Sequence, residues 1–173
     1  MRTFQQFVSL CEGGLARQLS NAKDKDTGHI SADRGSDEGE NRKKRKGLEK
    51  DLKKKGIGYK KGVGEYKYKS DDGKEGTGRE VTYQTSPKKG MSKRRFGKVM
   101  RRLGRKHGQE SVITKDKDKP ARLHDTQSKK PKPSANLGKS NPGKNPKGEG
   151  ETSGTKIRSG KLPKTNKKAY HYN

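Results

Sequence analysis

The densest run of chemically capable side chains lies between Met91 and His107, MSKRRFGKVMRRLGRKH. Arg94, Arg95, Lys98, Arg101, Arg102, Arg105 and Lys106 stand there with no acidic residue among them. Guanidinium and ammonium groups in such a run attract polyanions, and phosphate oxygens are acceptors that suit their donors. Phe96, Val99, Met100 and Leu103 recur at i, i+3, i+4 and i+7, one face of a helix. At about 100° per residue, Arg94, Lys98, Arg101 and Arg105 fall opposite that stripe, with Arg95, Arg102 and Lys106 beside them. A helix packed by its stripe and solvated on its cations is expected to bind DNA or RNA through phosphates, without sequence preference. A second run, Arg42, Lys43, Lys44, Arg45 and Lys46, extends the expected binding surface. It also fits a nuclear-import pattern, although such runs more often reflect general polyanion attraction.

Other chemistry is sparse. Glu80, Gln84, Gln109 and Glu110 are the polar residues nearest the predicted ordered elements, and a lone carboxylate without a base, nucleophile or metal cluster does not make an active site. Gly56, Gly58, Gly62 and Gly64 lack the Gly-Lys-Ser/Thr and the strand–turn–helix context of phosphate loops, so they predict a twisted strand with close backbone approach. His29, His107, His124 and His171 are scattered without ligand spacing, and Cys11 has no partner for a disulfide or a zinc site. The expectation is a protein that is not an enzyme and uses no cofactor or metal.

A formal charge of +26 on 173 residues, with 21% hydrophobic residues, limits how much of the chain can pack. Ordering costs roughly 1–2 kcal/mol per residue, which so polar a chain cannot offset along its whole length. No apolar run reaches the roughly 20 residues of a membrane span, and the N-terminus lacks the apolar block of a secretion signal. A soluble protein of a reducing compartment is expected.

The elements that position these residues are predicted as follows. Residues 1–20 form an amphipathic helix, with Thr3 and Gln6 as a capping box and Phe4, Phe7, Val8, Cys11, Leu15 and Leu19 on its apolar face. Residues 21–41, where Asp24, Asp26, Asp33, Asp37, Glu38 and Glu40 outnumber Lys23, Lys25 and Arg34, form a disordered acidic linker. Residues 42–126 form a small basic α+β domain ordered helix–strand–strand–helix–strand–strand. Its first helix is capped by Asn41 and anchored by Leu48 and Leu52; the strand arms contain Ile57 to Tyr68 and Val81 to Tyr83. Ser92 caps the basic helix, Gly108 closes it, and Ser111–Thr114 and Ala121–His124 supply the last two strands. Gly97 and Gly104 each cost about 1 kcal/mol in a helix, and a neighbouring strand passing close along that edge supplies a reason. Residues 127–173, rich in Lys, Pro, Gly and Ser, form a disordered cationic tail that ends in Tyr170, His171 and Tyr172. Those rings either stack on bases or dock on a protein.

Two stretches carry a resemblance. The opening MRTFQQF, and the block REVTYQTSPKKGMSKRRFGKVMRRLGRKHGQESVI, are similar to small basic proteins of tailed phages, particularly those of marine cyanobacteria. The similarity spans residues 56–126 and implies origin more than mechanism. It implies a phage accessory or virion protein, in the host cytoplasm, the virion or both, that binds nucleic acid without catalysis. The alternatives are a virion structural or assembly protein that docks on capsid or other virion proteins through Phe4, Phe7, Val8 and Cys11, or an early protein that binds host machinery.

Overall fold

The computed structural model describes residues 21, 23–69, 72–128, 133–142, 151–153 and 169–172. The amphipathic helix expected over residues 1–20, with Phe4, Phe7, Val8 and Cys11, lies outside them.

Strand β1 (Thr27–Ser31) is followed by helix α1 (Glu38–Lys54), strands β2 (Gly58–Lys69) and β3 (Glu75–Ser86), helix α2 (Lys93–Lys106), and strands β4 (Ser111–Lys115) and β5 (Ala121–Asp125). Four short strands complete the order: β6 (Ala135–Gly138), β7 (Ser140–Pro142), β8 (Glu151–Ser153) and β9 (Ala169–Tyr172). The protein is a small α+β domain. One sheet runs β6-β5-β4-β1-β3-β2-β8-β9-β7, and its neighbouring strands pair antiparallel. Only Lys139 separates β6 from β7, which stand at opposite ends of that order, so the sheet returns on itself.

Both helices pack on one face. Leu48 and Leu52 of α1, and Phe96, Met100 and Leu103 of α2, bury against Ile30, Val81, Tyr83 and Val112. The stripe read from the sequence is the buried stripe, with Val99 at its margin. Ser92 caps α2 by accepting the Arg95 amide at 3.3 Å. Helix α1 begins earlier than expected, because Asp37 caps it through the Glu40 amide at 2.9 Å. Asn41 instead ties the preceding turn, accepting from the Arg34 amide at 2.7 Å and donating to the Gly35 carbonyl at 3.2 Å.

The other sheet face is polar along β1 and β3 and carries a small apolar cluster toward β5 and β6. Register sets His29 opposite Gln84, Ser31 opposite Thr82 and Gly64 opposite Glu80, so these residues share one side by strand alternation. Tyr172 of β9 reaches this side. Its hydroxyl lies 2.7 Å from His29 Nε2, its ring meets the imidazole edge-on, and it packs with Ala121, Ile113 and Leu137. Burial holds the His29 imidazole down at about 4.

Two segments expected to be unstructured contribute strands. Residues 27–31, assigned from the sequence to an acidic linker, form β1, paired between β3 and β4. Parts of the expected cationic tail form β6 to β9. Backbone pairing in a sheet needs no apolar side chain at each position, so composition hides both.

Gly104 and Gly97 differ sharply. A Cβ on Gly104 would lie 2.6 Å from Val112 Cγ1 and 2.8 Å from Thr126 Cγ2, whereas one on Gly97 would meet only the end of Arg101 at 3.6 Å. The close neighbour on that edge therefore exists at Gly104 alone. Gly104→Ala should destabilise by about 1–3 kcal/mol, and Gly97→Ala should stabilise by up to about 1 kcal/mol; urea unfolding of both variants checks the pair.

Candidate active site

Where β1 ends, the chain turns through Ser31, Ala32, Asp33 and Arg34 beside the middle of β3. Asp33 is the hub of this turn. Its amide donates to Ser31 Oγ at 3.1 Å, and its carboxylate accepts from the Val81 amide at 2.8 Å. Arg45 grips the same carboxylate with Nε at 2.5 Å and Nη2 at 2.9 Å, while Gln109 Nε2 donates to the Asp33 carbonyl at 3.3 Å. Arg45 also holds Glu38 through Nη1 at 2.7 Å and Nη2 at 2.9 Å. Burial opposes the Arg45 charge, but its hydrogen bonds to Glu38 and Asp33 more than compensate, and the guanidinium stays firmly protonated.

Glu80 stands next to Val81, half-buried on the polar face of β3. Burial raises its carboxyl to about 7. The Ser31 hydroxyl, whose single proton is contested by the Val81 carbonyl, opposes the rise, the Asp33 charge adds to it, and the Arg34 charge works against it. Gly64, across the ladder on β2, brings no side chain to this spot. The Arg34 residue is exposed, and its guanidinium lies along Gly108; a Cβ there would sit 3.1 Å from Nη2. The arrangement thus offers an acid poised near neutrality that feels the charge of an exposed cation.

The basic residues singled out by the sequence do not converge here, with one exception. Arg94, Arg95, Lys98, Arg102, Arg105 and Lys106 are exposed along α2, and Arg101 is half-buried. Arg105 donates to the Thr126 carbonyl at 3.0 Å, and Lys106 pairs with Asp51 at 2.7 Å. On α1, Arg42, Lys43 and Lys46 are exposed, and Lys44 pairs with Glu40 at 3.6 Å. Arg45 is the exception: at 8% exposure it is a buried structural cation committed to Asp33 and Glu38, and it is not available to a phosphate. Glu80 and Gln109 stand in the sequence as polar residues without a base, nucleophile or metal cluster, and Ser31, Asp33 and Arg34, which the fold brings to them, lie in the segment expected to be a linker. Among the described residues, no three His, Cys, Asp or Glu side chains gather as a metal site. No helix among them is long and apolar enough to cross a membrane.

The fold is that of a small α+β protein in which an acid, Glu80, lies in the field of a cation, Arg34. The chain belongs to the S-adenosylmethionine lyase family, whose family model matches residues 28–167. No curated protein and no solved structure matches it. The match begins at β1 and spans the site, and it corrects three expectations. The resemblance to small basic phage proteins gives way to this family. A non-enzymatic role in nucleic-acid binding gives way to an enzymatic one, and the expectation of no enzyme is reversed. Net charge reports on solubility and general attraction and does not identify a function.

The raised carboxyl has a consequence for stability. Between about 4.5 and 7 the folded chain holds a proton on Glu80 that the unfolded chain has released, so this group costs stability as pH rises through that window. Glu80→Gln removes the cost. The variant should melt higher than the parent at pH 8, and the two should converge below pH 4.5; thermal unfolding monitored by circular dichroism at the two pH values checks this.

Proposed function

We propose that the protein is an S-adenosylmethionine lyase that works at Glu80. The substrate carries a sulfonium, an ammonium and a carboxylate. A lyase opens a carbon–sulfur bond of the sulfonium without taking up water; the substrate's own carboxylate oxygen bonds to that carbon and closes a lactone, while the bonding pair stays on sulfur, which leaves as a neutral thioether. Such chemistry needs orientation and a site of matched charge more than an added nucleophile. The observation that carries the reading is the half-buried Glu80 carboxyl beside the exposed Arg34 within the span matched to the family. Ionised Glu80 holds the cationic end of the substrate, and Arg34 takes its carboxylate. Gly64, opposite Glu80, leaves a backbone floor there.

Purified full-length protein should consume S-adenosylmethionine and release a thioether nucleoside, followed by liquid chromatography. Because ionised Glu80 is the active form, kcat/KM should climb with pH and level off above about 7. Loss of one hydrogen bond to a charged group is worth about 1.5–3 kcal/mol, so Glu80→Gln should lower kcat/KM by roughly ten- to a hundredfold. An inert wild-type protein, or a Glu80→Gln variant of full activity, removes this reading.

A further inference from the structure

We propose that Asp33 is the positioning residue of the Glu80 site, joining β1, β3 and α1 at one carboxylate and setting the charge that Glu80 faces. The inference rests on the reading of Glu80 as the residue that meets the substrate. Its basis is geometric. One Asp33 oxygen takes the Val81 amide at 2.8 Å, which fixes the strand at the residue after Glu80. The Asp33 amide is tied to Ser31 Oγ, and the Ser31 hydroxyl donates to the Val81 carbonyl at 2.8 Å. The turn and the strand are therefore stitched on both sides of the Val81 peptide. Such a cluster orients a functional side chain without touching the ligand, as outer-shell partners do elsewhere.

Among the described residues, the turn after β1 brings the charges of Asp33 and Arg34 to bear on Glu80, and β1 contributes the neutral Ser31. Helix α1 acts through Asp33, which its Arg45 holds together with Glu38. Strand β2 places Gly64 opposite. Arg45 is shared between two carboxylates, so Asp33 is incompletely neutralised and still acts on its neighbour. Removal of Asp33 and removal of Arg34 should then move Glu80 in opposite directions, which a loss of packing alone would not do.

The test uses full-length protein with carbon-13 in the glutamate carboxyls, the Glu80 signal being the one lost in Glu80→Gln. In the wild-type protein the Val81 amide proton should shift with the same midpoint as the Glu80 carboxyl. Asp33→Asn should lower that midpoint and Arg34→Gln should raise it. The acid limb of kcat/KM against S-adenosylmethionine should follow in Asp33→Asn. Asp33→Glu, which keeps the charge but displaces it, should lower kcat/KM with the midpoint near that of the wild type. An unmoved midpoint in a folded Asp33→Asn protein overturns the proposal. If Asp33→Asn does not fold, a wild-type Val81 amide indifferent to Glu80 overturns it, and one that follows Glu80 upholds it. Failure of the lyase reading looks different: the NMR shifts appear as described, but wild-type protein leaves S-adenosylmethionine intact.

Discussion

The rest of the molecule depends on the grip of Arg45 on Asp33. A guanidinium with five donors in a fixed fork can serve two carboxylates at once, and here it spans Asp33 on the turn and Glu38 at the start of α1. Taking such charges out of water is expensive, and the attraction offsets it only where the remaining lone pairs are also satisfied. Asp33 meets that condition through the Val81 amide. Breaking a buried pair of this kind costs about 3–5 kcal/mol, comparable with the stability expected of a whole small domain. The pair is therefore a point where helix, turn and central strands are secured together, and the acid on β3 takes its position from that junction.

The basic surface needs a separate account once nucleic-acid binding is set aside. Some of its cations have structural work. Lys106 and His107 both meet Asp51, at 2.7 and 2.8 Å, and so join the ends of the two helices. Lys61 meets Glu49 at 2.6 Å, and Glu49 also accepts from Tyr83 at 2.8 Å and Tyr59 at 3.3 Å, linking α1 to β2 and β3. An acid on one element recurrently meets cations or phenols from another. The acidic residues are few, and several of them act as connectors.

The parts of the fold legible in the sequence were those with a strong period. Helix α2 was readable because Phe96, Met100 and Leu103 repeat on one face and Ser92 caps the start. The strands β2 to β5 were readable from their short runs of apolar and aromatic residues. Strand β1 was not. Its sequence TGHIS has one strongly apolar residue, Ile30, facing the helices, while His29 and Ser31 belong to a polar face. A central strand with one polar side resembles a linker by composition, and the acids around it strengthened that impression. The site was lost with the strand, since Asp33 and Arg34 gain meaning only when β1 is laid against β3. The charge of Arg45 was legible, but its burial was not, because burial depends on partners separated from it along the chain.

The contact between His29 and Tyr172 joins residues separated by 143 positions. Closing a loop costs entropy that grows with the logarithm of its length, and contacts of high separation form late because little rewards them until the rest is in place. Strand β1 thus has one side chain whose surroundings are completed by a segment distant in the chain. Folding of this chain is therefore coupled to proton release: between about pH 4 and 6.5 the unfolded chain holds a proton on His29 that the folded chain has given up, so the buried imidazole costs stability as pH falls through that window.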